Sequence, residues 1–226
     1  MDRVAIKNRA KELIKDNKWY IWKPYLIMLL VVFAAAFVGG FIDGLLGLIQ
    51  KETVTVLGVE TTNYSLGPFT GIISTAASLI ETVFTVWYCK YLMDFTHGIK
   101  REFTFNEFFE YFKKHILICF VAGLLVGLNI AIGYILLIVP GIMATFGLLL
   151  YQFVTAENLE MNVTDLLRKT WNMTKGHKME LFVLMLSFIG WYFVAGLTLG
   201  ILYIWLVPYV TVTMALAYEA LKGTNN

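Results

Sequence analysis

Charge is what this chain has least of. Only 15% of its 226 residues are Asp, Glu, Lys or Arg, against 58% hydrophobic residues, and the mean hydropathy is +0.69. Soluble domains carry about 25% charged residues, so this balance excludes an ordinary soluble fold and points to an integral membrane protein. Cysteine is almost missing: Cys89 and Cys119 are too few for a disulfide scaffold, and both fall near helix ends where the thiols are expected to stay reduced. The three histidines, His97, His115 and His177, include no pair at ligand spacing, so no metal centre is expected. No phosphate-cradling glycine loop, zincin motif or Ser with a matching His and acid is present, so the expectation is a protein without cofactor or catalytic residues, not an enzyme.

What the chain has in quantity is long uncharged sequence. Residues 116–156 hold no Asp, Glu, Lys or Arg, and neither do residues 181–218. At a rise of roughly 1.5 Å per residue the first of these would reach about 60 Å, twice the roughly 30 Å hydrocarbon thickness of a bilayer, so each must fold back as two spans. The predicted fold is an all-α polytopic bundle forming a single domain over residues 1–226, with spans at about 24–42, 69–89, 116–136, 139–156, 181–197 and 200–218. The basic amino-terminal segment before the first apolar run is too long for a secretory leader, and a retained first span is expected.

Lys and Arg are distributed very unevenly. Seventeen of eighteen lie in residues 1–23, 90–115, 157–180 and the tail, and Lys51 alone lies in a connector on the other side. By the positive-inside rule both termini are cytoplasmic, in a plasma membrane. Each basic segment carries apolar residues at helical spacing, which predicts a cytoplasmic amphipathic helix near 4–18, 104–114 and 163–175, each followed by two spans: three hairpins of similar build. Thr104, Phe105, Asn106 and Glu107 form a capping box, with Phe103 and Phe108 as its staple. Gly176 is the expected terminator of the third such helix, and a turn is expected near Gly196 to Gly200. The connector 51–68 reads as a polar loop.

In the amino arm, Lys7, Lys11, Lys15, Trp19 and Trp22 suit a helix lying on anionic lipid, with the aromatics at headgroup level; nucleic acid is not the expected partner. Other membrane proteins are further candidate partners. In the second span Ser74, Ser78, Glu81 and Thr85 share one face, and Glu81 falls near the membrane interior, where a carboxylate is costly unless protonated or paired. Glu81 is thus either a proton- or cation-binding group of a small transporter or permease, or a structural acid that hydrogen-bonds Asn129 or Gln152 of a neighbouring helix. Asp43 should reach the outer interface and be hydrated. Pro140 and Gly141 make either a plain turn between spans or a re-entrant bend, and Gly123, Gly127 and Ala131 make a close-packing face.

Several stretches carry a family resemblance: Arg9, Ala10 and Lys11 with Trp19, the turn Ile138 to Ile142, the segment Thr170 to Lys178, Ser187 to Trp191, and Pro208 with Tyr209. On these residues the chain resembles the bacterial membrane proteins known as domain of unknown function 975. The resemblance implies a polytopic plasma-membrane protein of the kind found in Gram-positive bacteria, without an established activity or ligand residues. Glu157 stands where such proteins often carry an Asp. The function expected is that of a non-enzymatic scaffold or accessory protein with a lipid-contacting basic cytoplasmic face, the alternative being a small proton- or cation-coupled transporter using Glu81.

Overall fold

A computed structural model describes residues 2–56, 59–65, 67–99 and 102–224. In chain order the elements are α1 (Arg3–Asp16), α2 (Lys18–Leu45), β1 (Gln50–Val56), β2 (Val59–Ser65), α3 (Pro68–Thr96), α4 (Phe105–Leu136), α5 (Ile138–Gly147), α6 (Tyr151–Glu157), α7 (Val163–Thr174), α8 (Lys178–Leu186), α9 (Ile189–Leu197) and α10 (Tyr203–Thr224). Six helical stretches are long and apolar enough to cross a bilayer: Lys18–Leu45, Pro68–Thr96, Phe105–Leu136, Ile138–Glu157, Lys178–Leu197 and Tyr203–Gly223. Every predicted span lies within or nearly within one of them, and the chain is a multi-pass membrane protein. Where a polar loop was expected, β1 and β2 form an antiparallel ribbon, with Gln50 opposite Ser65 and Val56 opposite Val59. The β-branched run Thr53 to Val56, answered by Val59, Thr61 and Thr62, is the strand signal that polarity conceals.

Backbone contacts divide the described chain into two units, residues 27–81 and the remainder. Within 27–81, α2 and α3 approach closely at Gly39, where a Cβ would stand 3.0 Å from the Thr70 Cα. Asp43 is not hydrated. It is fully buried and caps α3: Oδ1 accepts from the Phe69 N–H at 3.1 Å, and Oδ2 from the Thr70 N–H at 2.7 Å and the Thr70 hydroxyl at 2.5 Å. The first N–H groups of a helix have no partner of their own and carry partial positive charge, so a carboxylate satisfies both needs. Gly67 makes room for it, because a Cβ there would overlap the carboxylate. Leu30, Phe33, Phe37, Phe41, Leu45 and Ile72 are exposed, as apolar side chains facing lipid are.

In the other unit the core is built from the second half of α3, inner faces of α4 to α8, and α10. An aromatic series on α3 supplies much of it: Phe84, Trp87, Tyr88 and Tyr91 meet one another ring against ring, and all four are buried. Phe103 and Phe108 both stand edge-on to Trp87, at 5.5 and 5.7 Å. Thr104 is the N-cap residue of α4, but its side chain makes no capping hydrogen bond. The separate helix expected at 104–114 is absent, because α4 continues unbroken from Phe105 into the third span. Nothing in that sequence breaks a helix: the next glycine along the chain is Gly123 and the next proline Pro140.

The long uncharged stretch does reverse, but not at Pro140 and Gly141. The break is the single extended residue Leu137 (φ −167°, ψ 156°), and α5 begins at Ile138. Pro140 therefore sits in the first turn of α5, where its missing N–H costs nothing. Gly141 pairs with Gly133 instead, and a Cβ on Gly133 would lie 3.0 Å from the Gly141 Cα. Residues eight apart in a continuous helix are about 12 Å apart, so this contact exists only because the chain has folded back. The expected seam at Gly123, Gly127 and Ala131 is displaced too. Gly127 and Ala131 are exposed and Gly123 only half-buried, whereas Cys119, Ala122, Val126 and Gly133 are the buried positions of α4. Small residues mark where helices can approach, but the neighbours decide which stripe they use.

The third basic segment follows expectation more closely. Asn162 is the N-cap residue of α7, without a side-chain capping bond, and Gly176 (φ +86°) ends it in the left-handed conformation glycine tolerates. The last uncharged run turns at Leu199 (φ +50°) and Gly200 (φ +88°), inside the expected window.

Candidate functional site

On the second span the two serine hydroxyls bond to carbonyls of their own helix. Ser74 donates to the Gly71 carbonyl at 3.0 Å and Ser78 to the Thr75 carbonyl at 2.8 Å. Such bonds are common for short polar side chains in helices. Ser74, Ser78 and Glu81 are exposed and Thr85 is half-buried. In the other unit Asn129 donates to the Leu125 carbonyl at 2.7 Å, and Gln152 accepts from the Cys89 thiol at 3.8 Å and donates to the Tyr151 hydroxyl at 3.4 Å.

The amino arm is divided between two roles. Ala10 and Ile14 are buried, and α1 packs on α10. Lys7 turns inward with them. Its Nζ donates to the Ser187 hydroxyl at 3.0 Å and stands 4.3 Å over the Phe188 ring, and burial, aided by the neighbouring Lys11 charge, lowers its pKa. Trp22 also points to protein, donating Nε1–H to the Ile204 carbonyl at 3.1 Å. Lys11, Lys15 and Trp19 remain exposed. The helical period of the arm was legible from sequence, but the docking that claims Lys7 and Trp22 lies about 180 residues away.

Two clefts collect the ionisable side chains. The first, about 290 Å³, lies between the end of α3 and the start of α4; Trp87 and Tyr91 line it beside Lys90, Asp94, Glu107, Glu110, Lys114 and His115. Its charges nearly cancel. The second, about 610 Å³, is bounded by α7 and the end of α10; Arg168, Lys169 and Lys222 line it with Asp165, Asn172, Met161 and Met173. Here cations prevail.

The second cleft is held by Glu157, which the sequence singled out only through the family resemblance. Both of its oxygens accept from the Lys222 ammonium at 2.8 Å, and Oε2 also accepts from the Tyr218 hydroxyl at 2.8 Å. The Tyr218 ring stacks on Phe153 at 5.7 Å, so α6 and α10 are joined by packing and charge together. α7 is fixed from its other side: Thr174 donates to the Gly147 carbonyl at 2.7 Å, and Lys178 lies 3.1 Å over the Trp171 ring. The histidines are dispersed. His97 meets Glu219 at 3.4 Å, His177 meets Glu180 at 3.2 Å, and His115 lies on the Tyr111 ring. Among the described residues no three His, Cys, Asp or Glu side chains are grouped as for a metal ion.

No curated protein and no solved structure matches the chain. Of the stretches that carry the family resemblance, the amino-terminal Arg9, Ala10, Lys11 and Trp19 lie outside the part recognised by a family model. Residues 134–225, from the end of α4 through α10 and including the Glu157 clamp and the cationic cleft, match the family described as Protein of unknown function (DUF975).

Proposed function

We propose that this chain is a non-enzymatic protein of a bacterial plasma membrane with both termini in the cytoplasm, a scaffold or accessory factor for other membrane components whose basic inner surface rests on anionic lipid. Its six spans pair as three hairpins in this reading. One observation carries it: seventeen of the eighteen Lys and Arg are confined to the segments on one side of the spans, while exposed apolar side chains such as Leu128, Ile132, Ile135, Phe193 and Leu197 occupy the helices between. Basic residues at a membrane surface gain about 1 kcal/mol each from anionic lipid, and an exposed indole favours the headgroup level. Lys11, Lys15 and Trp19 present both on a helix whose other face is anchored by Ala10 and Ile14.

The test is thermal unfolding of the detergent-solubilised full chain titrated with phosphatidylglycerol or phosphatidylcholine. The anionic lipid is expected to raise Tm more, and Lys11→Gln with Lys15→Gln and Trp19→Ala to remove most of that difference. Equal shifts by the two lipids would refute the lipid half of the proposal.

A further inference from the structure

α7 presents two faces. Leu166, Thr170, Met173 and Thr174 are buried, while Asp165, Arg168, Lys169 and Asn172 follow at steps of three, one and three along the side that lines the 610 Å³ cleft. Across that cleft stands Lys222, from the end of α10. Two of the three cations are held in place by acceptors behind them. Lys169 donates to the Asn158 side-chain oxygen at 2.8 Å, and Asn158 is itself fixed by donating to the Val154 carbonyl at 2.7 Å. That acceptor is neutral, so Lys169 keeps its charge uncompensated. Lys222 is gripped by Glu157. The third cation, Arg168, is exposed and has no hydrogen-bond or ion-pair partner among the described residues. Asp165 is the one acid among the cleft's lining residues, against three cations; Glu157 and the nearby Glu219 offset Lys222, so the positive charge is concentrated at Arg168 and Lys169, and the ammonium groups are positioned before any ligand arrives.

We propose that this cleft binds a phosphate-bearing anion, with the Arg168 guanidinium and the Lys169 ammonium as its principal donors, Lys222 as a second positive wall and the Asn172 amide as a neutral donor. A guanidinium presents two parallel N–H groups that match two oxygens of a phosphate, and ammonium groups approaching from other directions suit a tetrahedral anion better than a planar carboxylate. The volume admits a phosphate with its organic substituent. That chemistry arises either from an anionic lipid headgroup or from a soluble phosphate ester. The lipid source rests on the reading of the inner surface given above; the site itself does not, since it involves none of Lys11, Lys15 or Trp19.

The experiment uses the full chain in nanodiscs of phosphatidylcholine alone, probed by native mass spectrometry and calorimetry with short-chain phosphatidylglycerol and, separately, with glycerol 3-phosphate. Saturable binding of one equivalent is expected for at least one probe, weakened about tenfold or more in Arg168→Ala with Lys169→Ala, since charge-assisted hydrogen bonds are lost. The pair Lys113→Ala with Lys114→Ala, both exposed and outside both the cleft and the amino arm, removes the same charge elsewhere and is expected to leave the affinity unchanged. Binding of the lipid alone assigns the headgroup source, and binding of glycerol 3-phosphate as well assigns the soluble one. Arg168→Lys retains the charge without the fork and is expected to fall between wild type and the double variant, which separates ligand contact from a folding defect. Equal weakening by both double variants, or no saturable binding of either probe, overturns the proposal. A lipid effect abolished by the amino-arm variant (Lys11→Gln, Lys15→Gln, Trp19→Ala) alone would support the inner-surface reading while overturning this one.

Discussion

The close approach of α4 and α5 predicts that one substitution changes the sign of its effect with its background. Gly133 and Gly141 both lie inside helices, where replacing Gly by Ala is worth about 1 kcal/mol through reduced backbone freedom. Against that gain stand two different obstacles. A Cβ on Gly133 would lie 3.0 Å from the Gly141 Cα and 3.1 Å from the Gly141 nitrogen and the Pro140 carbonyl oxygen. All of these are backbone, and only a shift of one helix against the other relieves them. A Cβ on Gly141 would overlap the ring of Tyr134, a side chain 48% exposed whose hydroxyl contact with Thr145 is long, at 3.4 Å.

Overpacking of a tight contact costs about 1–3 kcal/mol, with the upper end expected where only backbone can give way, so Gly133→Ala is expected to be destabilising by up to about 2 kcal/mol once the helical gain is subtracted. Gly141→Ala should cost a similar amount in the wild-type chain. In a Tyr134→Ala background the obstacle is gone and Gly141→Ala should become stabilising by about 1 kcal/mol, while Gly133→Ala stays unfavourable. For a chain of this size 1 kcal/mol moves Tm by about 2–4 °C, which thermal unfolding of the three single and two double variants in detergent resolves. If Gly141→Ala has the same sign in both backgrounds, the Tyr134 ring is not what opposes a Cβ at Gly141 and the reasoning is wrong.

Two further outcomes follow from the second span and its cap. Gly67→Ala and Asp43→Ala should each lower the melting temperature, and the double variant should be less affected than the two shifts added together, because the Cβ at Gly67 acts by displacing the carboxylate that caps α3; additive shifts would refute the cap. Glu81→Gln should leave proton and cation uptake into proteoliposomes unchanged, and a loss of flux in that variant would restore the transporter reading.

The features legible in the sequence are those decided by local chemistry and charge counting. The six spans follow from runs of residues that cannot face water, and Gly176 and Gly200 follow from the left-handed conformation that glycine takes at little cost. The misplaced features share one cause: each depends on a neighbour that the sequence does not name. Pro140 and Gly141 form a strong turn dipeptide, yet Leu137 breaks the helix, because Gly141 is needed against Gly133 and the chain must already have reversed by then. Asp43 looks hydrated when counted from Pro24, but the helix that follows it offers two backbone N–H groups in need of an acceptor. Lys7 repeats the spacing of Lys11 and Lys15 and differs from them only in meeting Ser187 and Phe188.

The same distinction bears on where function should be sought. Glu81 stands out in the sequence because a charge in a span is rare, but rarity concerns the cost of that position and does not supply partners for chemistry. Glu157 stands at the edge of a span, where an acid is inexpensive, and there it joins Lys222 and Tyr218 and so sets one wall of the cationic cleft. The clamp spans about 65 residues of sequence and lies wholly inside the part of the chain that matches the family. An aspartate at this position would keep the charge on a side chain one methylene shorter. A Glu157→Asp substitution would therefore preserve the pairing with Lys222 only if α6 and α10 moved closer together, so the shape of the cleft depends on the length of this acid as well as on its charge.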